Sequence, residues 1–382
     1  MLRRAVVAFA TLVGVAACSG PGGVSAIHAP SDMSPSLARS SSASFKIFTA
    51  GQTPGFPAYA NVIDIARASD GTMWFTDLSR NDVRKPGIGR IASDGTFTEF
   101  TDGLPRDAKP YSIAAGPDGN MWFSDWRGVV VGKITPQGLI TEYAASGHAH
   151  RHAKGIAFGR GGEPWILADD EQSGNYPPLL AHVTRKGTVE TQPLPGGMDA
   201  EVGAALTADV DGNVWFIGLT PNTRRGELVE HRGRSGGFLR RPLDMLSAAL
   251  PCCPNVAPKS VAIGADGNPW FTTLYLIYKN SPHKYLGTLK AGQVNLYPLR
   301  RGGLPYVAYP SALALGTDGF WVAGSEPNAD AGGLWHFDSR RGQIVYVLPH
   351  APLALAVDAA GNPWFTTRFR GEPSRIIEVL TH

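Results

Sequence analysis

The stretch that decides the fold is GPDGNMWFSD, residues 116–125. It opens with an Asp-Gly turn and continues into an apolar segment that contains a tryptophan, the pattern of a tight hairpin turn leading into a strand. A short apolar segment precedes it, and a second hairpin signal follows it up to residues 139–143. The stretch and its flanks therefore predict one unit of four antiparallel strands.

This unit recurs seven times along the chain, and each copy carries one tryptophan at the same position. The tryptophans are 43 to 55 residues apart, and they are Trp74, Trp122, Trp165, Trp215, Trp270, Trp321 and Trp364. Such a period is typical of propeller blades. One bulky aromatic per repeat indicates packing between blades. The sequence therefore predicts an all-β fold, a seven-bladed β-propeller with four antiparallel strands per blade, in a single domain of residues 45–382.

The last repeat lacks one strand, because the chain ends soon after residues 375–380. An open sheet edge has to be paired or covered. The segment FKIFT, residues 45–49, alternates as an outermost strand does and precedes the first full repeat. We expect this N-terminal strand to close the seventh blade.

The N-terminal residues combine Arg3 and Arg4 with an apolar run to Val15, the layout of a signal peptide over residues 1–17. The tetrapeptide VAAC, residues 15–18, resembles a bacterial lipobox, which implies cleavage before Cys18 and a diacylglycerol on its thiol. An ordinary signal followed by an incidental cysteine is the alternative. Residues 18–44 are rich in Ser, Pro, Gly and Ala and are predicted to form a disordered tether. The expected location is the bacterial cell membrane or outer membrane, facing the periplasm or the exterior.

The charge composition narrows the range of partners. The chain has 35 basic and 32 acidic side chains, without a basic stripe interleaved with aromatics, so nucleic acid is not an expected partner. We expect a monomer. Adjacent Cys252 and Cys253 would permit a vicinal disulfide in an oxidising compartment, or a free or intermolecular thiol pair.

Residues 116–125, followed by GKIT at 132–135 and ITEY at 140–143, resemble the virginiamycin B lyase (streptogramin B lyase) family. The resemblance implies seven-bladed propellers that linearise a cyclic depsipeptide antibiotic by β-elimination. It also implies Mg²⁺, held with histidines and glutamates on one face of the disc. The family signature is a Pro-His pair that opens the first strand of a blade and a Trp-Phe-Thr-Glu that closes the second.

The chain departs from this signature at the catalytic positions. The family's histidine position is occupied, blade by blade, by Ile63, Tyr111, Lys154, Ala204, Lys259, Ser311 and Leu353. The glutamate position is occupied by Asp77, Asp125, Ala168, Gly218, Thr273, Gly324 and Thr367. The base is absent, and carboxylates remain only in the first two blades. We therefore do not expect the lyase activity of the family.

Candidate ligand-binding residues lie where the first strands begin and the second strands end, because antiparallel neighbours bring these ends to the same rim. They are Tyr111, Asp125, Trp126, Arg127, Lys154 and Lys259. Trp126 is the tryptophan best placed to face a ligand, and the two lysines could bind an anionic group. The alternative for Tyr111 and Asp125 is a structural cap on blade two.

A second candidate cluster surrounds the third blade. Residues 148, 150 and 152 are histidines, and they alternate in a way that lets three imidazoles face one spot. Acidic residues follow the tryptophan strand of the same blade. The cluster of His148, His150, His152, Asp169, Asp170 and Glu171 is a candidate Zn²⁺ or Mn²⁺ site, with surface histidines as the alternative.

Two functions of different classes follow. The first is an envelope propeller that binds a glycan, peptide or protein ligand at the channel rim. The second is a metal-dependent C–O lyase or a hydrolase that uses the acids and histidines of the rim, with Mg²⁺, Zn²⁺ or Mn²⁺ as cofactor.

Overall fold

The computed structural model describes residues 39–40, 43–79, 84–148, 151–170, 177–200, 205–220, 226–233, 237–243, 256–275, 284–299, 309–325, 330–338, 342–367 and 372–381. Several predictions concern residues outside these ranges, namely the signal peptide, Cys18, His150, Glu171, Ala204, Cys252 and Cys253. Within the described ranges there is no helical segment of the length and apolarity that crossing a membrane demands.

The described residues form thirty strands and one short 3₁₀ turn at Pro195–Gly197. In chain order the strands are β1 (Arg39–Ser40), β2 (Ser44–Thr49), β3 (Val62–Arg67), β4 (Met73–Asp77), β5 (Gly87–Ile91), β6 (Phe97–Phe100), β7 (Pro110–Ala115), β8 (Met121–Asp125), β9 (Val130–Ile134), β10 (Ile140–Ala144), β11 (His152–Phe158), β12 (Pro164–Asp169), β13 (Leu179–Val183), β14 (Val189–Pro193), β15 (Asp199–Ala200), β16 (Leu206–Ala208), β17 (Val214–Leu219), β18 (Gly226–His231), β19 (Phe238–Pro242), β20 (Val256–Ile263), β21 (Pro269–Tyr275), β22 (Tyr285–Lys290), β23 (Gln293–Pro298), β24 (Tyr309–Leu315), β25 (Gly319–Ser325), β26 (Gly332–Asp338), β27 (Gly342–Leu348), β28 (Pro352–Val357), β29 (Pro363–Thr367) and β30 (Arg375–Leu380).

The strands form seven sheets that follow one another along the chain. Blades one to three are β3–β6, β7–β10 and β11–β14, and blade four is β15–β19, with its innermost strand divided into β15 and β16. Blades five to seven begin at β20, β24 and β28. Each innermost strand contacts the next one, and β28 contacts β3, so the ring closes around a central channel. The predicted seven-bladed propeller is confirmed.

The N-terminal strand closes the seventh blade, as predicted. Strand β2 pairs antiparallel with β30 over its whole length, with Phe48 opposite Ile376. The structure adds one feature that the sequence did not predict. Arg39 and Ser40, assigned above to the tether, form β1 and pair in parallel with β27 at the edge of blade six.

The seven repeat tryptophans are buried, each in an apolar cluster shared by two neighbouring blades. Their packing role is confirmed. The turn before the tryptophan also holds it in place, because the Trp122 indole N–H donates to Asp118 and that of Trp270 to Asp266. The Asp-Gly turn therefore both reverses the chain and satisfies the buried donor.

The two faces of the disc carry different connections. The turns between first and second strands, such as residues 116–120, lie on what we call the hairpin face. The innermost strands begin, and the second strands end, on the opposite face, which we call the mouth face. In blade two Pro110 lies opposite Asp125, which brings the beginning of β7 beside the end of β8 as expected.

Candidate functional site

Among the described residues, the innermost strands of six blades contain a β-bulge at or next to the position that corresponds to the family's histidine. The bulges lie between Val62 and Ile65, Pro110 and Ile113, Lys154 and Ile156, Pro258 and Ser260, Pro310 and Ala312, and Pro352 and Leu355. Bulges re-aim side chains and are frequent beside functional sites. In five of these blades the register residue lies within the bulge and lines the channel, whereas in blade three Gly155 lies within the bulge and Lys154 precedes it.

The second strand supplies hydroxyl groups that support these bulges. Thr76 accepts the N–H of Asp64 at 3.1 Å, and Ser124 accepts the N–H of Ser112 at 3.1 Å. The Thr366 hydroxyl accepts the N–H of Ala354 in blade seven at 3.3 Å. The Thr or Ser that follows Trp-Phe in these repeats therefore has a structural role, because its hydroxyl group accepts a backbone N–H of the bulge.

The central channel holds a cavity of about 720 Å³. Its walls are the innermost strands, and the register residues that line it are Ile63, Tyr111, Lys259, Ser311 and Leu353. Apolar side chains alternate there with the hydroxyl groups of serines and tyrosines. The predicted convergence of Tyr111 and Lys259 on one rim agrees with this lining.

Two charged residues among the described lining of the channel have shifted pKa values. Burial lowers the pKa of Lys259. Burial also raises the pKa of Asp64 to about 6, although the N–H groups of Ile113 and Ile65 partly oppose the shift. These N–H groups donate to the Asp64 carboxylate at 3.0 Å and 2.9 Å. Sequence inspection missed Asp64, because it is a lone acid in an apolar strand.

The two rim aspartates stabilise loops of the mouth face. Asp125 Oδ1 accepts the backbone N–H groups of Lys109 at 3.0 Å and Arg127 at 2.8 Å. Arg127 also donates to Glu142 on the outermost strand at 2.8 Å. Burial raises the pKa of Asp125, opposed by the hydrogen bond and charge of Arg127. Blade one repeats the arrangement around Asp77, so these carboxylates act as caps.

Trp126 is half-buried and surrounded by side chains. Its ring stacks on Tyr111 with centroids 6.3 Å apart and contacts His152 at 4.4 Å. The Lys109 ammonium lies 5.4 Å from the Trp126 ring centroid. Trp126 therefore packs among side chains of blades two and three on the mouth face.

Lys154 forms an ion pair rather than extending into the channel. Its ammonium donates to Asp169 Oδ2 at 2.9 Å, and both residues are buried. The pair joins the first two strands of blade three, with Lys154 on β11 and Asp169 on β12. A carboxylate thus already neutralises this lysine.

The described members of the histidine cluster make separate contacts. His152 Nδ1 bonds to the carbonyl of Trp126 at 2.7 Å, whereas His148 Nδ1 lies 3.0 Å from the Arg151 guanidinium. Desolvation, together with Arg151, lowers the pKa of His148. Within the described ranges, His148, His152, Asp169 and Asp170 do not bring three ligand atoms to one point.

A histidine that the sequence analysis missed lies on the mouth face, in the loop that enters blade seven. His350 Nδ1 bonds to Asp330 Oδ2 at 2.9 Å, and Asp330 Oδ1 accepts the N–H of Ala351 at 3.1 Å. Both side chains are partly exposed. The sequence did contain a signal, a Pro349-His350 pair three residues before Leu353.

Comparison with known proteins agrees with the repeat pattern. Residues 44–228 match the model of the Virginiamycin B lyase family. No curated protein sequence matches the chain at a significant level. The likeness beyond the matched segment is therefore a likeness of fold.

Three solved structures cover nearly the whole propeller. A streptogramin B lyase is 21% identical, with a TM-score of 0.61 over 88% of this chain and 98% of that chain. The selenomethionine-substituted virginiamycin B lyase of Staphylococcus aureus is 20% identical, with a TM-score of 0.63 over 89% and 100%. A catalytically inactive histidine-to-alanine variant of the S. aureus enzyme, with quinupristin, is 19% identical, with a TM-score of 0.60 over 88% and 100%.

Proposed function

The chain has a virginiamycin B lyase-like propeller fold, and residues 44–228 match the family model; from that premise we propose that it binds a peptide ligand at the channel mouth without opening a depsipeptide ring. The lining of the channel supports this proposal. The family's histidine positions there hold Ile63, Tyr111, Lys259, Ser311 and Leu353. Proton abstraction needs a base with a suitable pKa within reach of the substrate carbon, and no histidine occupies any of these positions.

A peptide fits this lining better than a glycan does. Binding sites for sugars rely on exposed aromatic faces, whereas Trp126 is covered by Tyr111, His152 and Lys109. One face of the Tyr309 ring is occupied as well, because the Lys284 ammonium lies 3.4 Å from its ring centroid. A mostly apolar cavity with a few hydroxyl groups, one lysine and one aspartate suits a ligand made of amides and apolar side chains.

The second candidate is a metal-dependent lyase or hydrolase. The pair of His350 and Asp330 favours it, because the carboxylate orients the imidazole and leaves Nε2 as a proton acceptor on the mouth face. The described rim has no group of three metal ligands around this pair. We therefore favour peptide binding without catalytic turnover.

The binding proposal is tested by panning a random heptapeptide phage library on the full chain, with a glycan array in parallel. We expect enriched peptides whose affinity falls at least tenfold in Lys259→Met and in Leu353→Trp, which fills the channel mouth. Val210→Ala is the matched control, since Val210 is exposed in a turn of the hairpin face. Enrichment of glycans alone, or peptides that bind both mouth variants like the wild type, would overturn the proposal.

A further inference from the structure

The third strand of blade six ends in a histidine and an aspartate that lie on the hairpin face, away from the channel mouth. His336 and Asp338 are two residues apart on β26, so their side chains leave the same side of the sheet. Each is only 5% exposed. Two potential metal ligands are therefore held at a buried sheet end.

The turn that precedes β25 brings a third ligand to the same place. Gly319, the first residue of β25, pairs with Asp338, and Asp318 immediately precedes it. A Cβ at position 319 would lie 1.8 Å from the carbonyl oxygen of Phe337, so a glycine is required for this close approach. Asp318 Oδ1 lies 3.0 Å from His336 Nε2.

Blade six differs here from blades two and five. In those blades the turn aspartates, Asp118 and Asp266, accept the indole N–H of their tryptophan. In blade six the turn is one residue shorter, and the Trp321 indole N–H is buried without a hydrogen-bond partner. The ring of Trp321 instead stacks on His336, with centroids 3.9 Å apart and planes inclined by 2°. The turn aspartate of blade six therefore contacts the imidazole of His336 instead of the indole of Trp321.

We propose that Asp318, His336 and Asp338 bind a divalent metal ion, with Zn²⁺ as the best fit. One ligand atom from each residue lies within 4.8 Å of the others. Zn²⁺ accepts imidazole and carboxylate ligands at about 2.0–2.2 Å, and a tetrahedral site needs ligand atoms somewhat closer together. Asp318, whose side chain is 55% exposed, can make that small movement. Stacking on Trp321 fixes the orientation of the His336 imidazole ring.

The three protein ligands leave one position open to water. Asp318 also lines a groove of about 440 Å³ between blades five and six, with walls that include Trp270, Tyr297 and Phe320. An ion at Asp318 would therefore border an aromatic groove and could bind a carboxylate or carbonyl oxygen of a ligand there. This site is on the face opposite to that on which the family resemblance places Mg²⁺.

The test is calorimetric titration of the untagged full chain with ZnCl₂, and with MnCl₂ in a second series. We expect one Zn²⁺ per chain, an affinity at least tenfold weaker in Asp318→Asn, and a further loss in His336→Asn. Zinc should also raise the Tm of the wild type more than that of Asp318→Asn, because the stabilisation by a bound ligand grows with its concentration relative to Kd. Asp318 is exposed, so its variant should fold normally.

Asp118→Asn is the matched control, since it changes the turn aspartate of blade two, outside the groove, and should leave zinc binding unchanged. His152→Asn tests the competing histidines of the third blade. The proposal is overturned if neither ion binds stoichiometrically, if Asp318→Asn binds zinc like the wild type, or if binding is lost in His152→Asn instead.

Discussion

Residues that look like remnants of a catalytic signature have structural roles in this chain. Asp77 and Asp125 occupy the place of the family's glutamate, yet they accept backbone N–H groups of neighbouring loops. Thr76 and Ser124 support the bulges of the innermost strands. A residue type at the correct position thus identifies the repeat without identifying the chemistry.

Asp64 should make the stability of the protein depend on pH. Its pKa is raised from 3.8 to about 6 by burial, so the folded state binds the proton more tightly than the unfolded state. The associated stability is fully present below pH 4 and is lost as the pH rises through about 6. Since one pH unit corresponds to about 1.4 kcal/mol, Asp64→Asn should gain up to about 3 kcal/mol relative to the wild type between pH 4 and 7.

The measurement is urea denaturation of both proteins across that pH range. Asp94→Asn is the control, because the pKa of the exposed Asp94 is lowered by hydrogen bonds to Thr96. Its free energy of unfolding should not rise relative to the wild type. A constant difference between Asp64→Asn and the wild type at all pH values would contradict the prediction.

Lys154 should be essential for the stability of blade three. Replacing it by Met leaves the buried Asp169 carboxylate without its cation, which we expect to cost about 3–5 kcal/mol. Lys154→Met combined with Asp169→Leu should recover part of this loss, because both charges are then absent. Chemical denaturation compares the two variants with the wild type, and a Lys154→Met protein as stable as the wild type would refute the prediction.

At the scale of elements, β2 matters most for the closure of the ring, although it lies far from its partner β30 in the sequence. Strand β2 pairs with β30 and converts a three-stranded sheet into a complete blade. Phe48 packs against Phe97 at 5.2 Å and Trp364 at 5.8 Å, so β2 also joins blades seven and one. Closure is therefore a matter of both hydrogen bonds and apolar burial.

Phe48→Ala should destabilise the ring by about 3–5 kcal/mol, the usual cost of removing a buried phenylalanine. Its neighbour Ile47 is 44% exposed on the same strand. Ile47→Ala should therefore change stability by no more than about 0.5 kcal/mol. Thermal denaturation compares the two, and similar losses in both variants would show that β2 does not close the core as described.

At the scale of the whole molecule, the disc is a ring of seven apolar cores, each shared by adjacent blades. All seven repeat tryptophans pack within these cores. Recognition is therefore left to the two faces, where loops and strand ends differ from blade to blade. This division explains how a virginiamycin B lyase-like fold is compatible with different residues on the mouth face.

The purified full chain should leave a streptogramin B ring intact even with excess Mg²⁺. The reason is the channel lining, in which Tyr111, Lys259 and Ser311 replace the family's histidines. Mass spectrometry of quinupristin after prolonged incubation decides the matter. Turnover abolished by EDTA and by His350→Ala would instead establish the pair of His350 and Asp330 as the base of a lyase.

The chain should be acylated at Cys18 and should fractionate with membranes. The prediction follows from the lipobox-like residues 15–18 and the Ser- and Pro-rich segment behind them. One acyl-modified terminus concentrates the propeller at a membrane surface. Metabolic labelling with a fatty-acid analogue tests it, and a Cys18→Ala protein that keeps the label and the membrane fraction would disprove it.

The sequence by itself determined the number of blades, their four strands and the closing strand, because these depend on local signals. Turn residues, period-two alternation and one tryptophan per repeat act within a few positions, and they recur seven times. Even the departure from the catalytic signature was visible, since the strand register follows from fixed spacing to each tryptophan.

Only the tertiary structure decided which side chains meet. Lys154 pairs with Asp169, His350 with Asp330, and Asp318 with His336, in each case across 15 to 20 residues. Such contacts depend on bulges, on a turn one residue shorter and on which sheet end a loop crosses. The contacts themselves have no periodic signal, because each pair arises once, where two strands or loops of the folded ring approach within hydrogen-bonding distance.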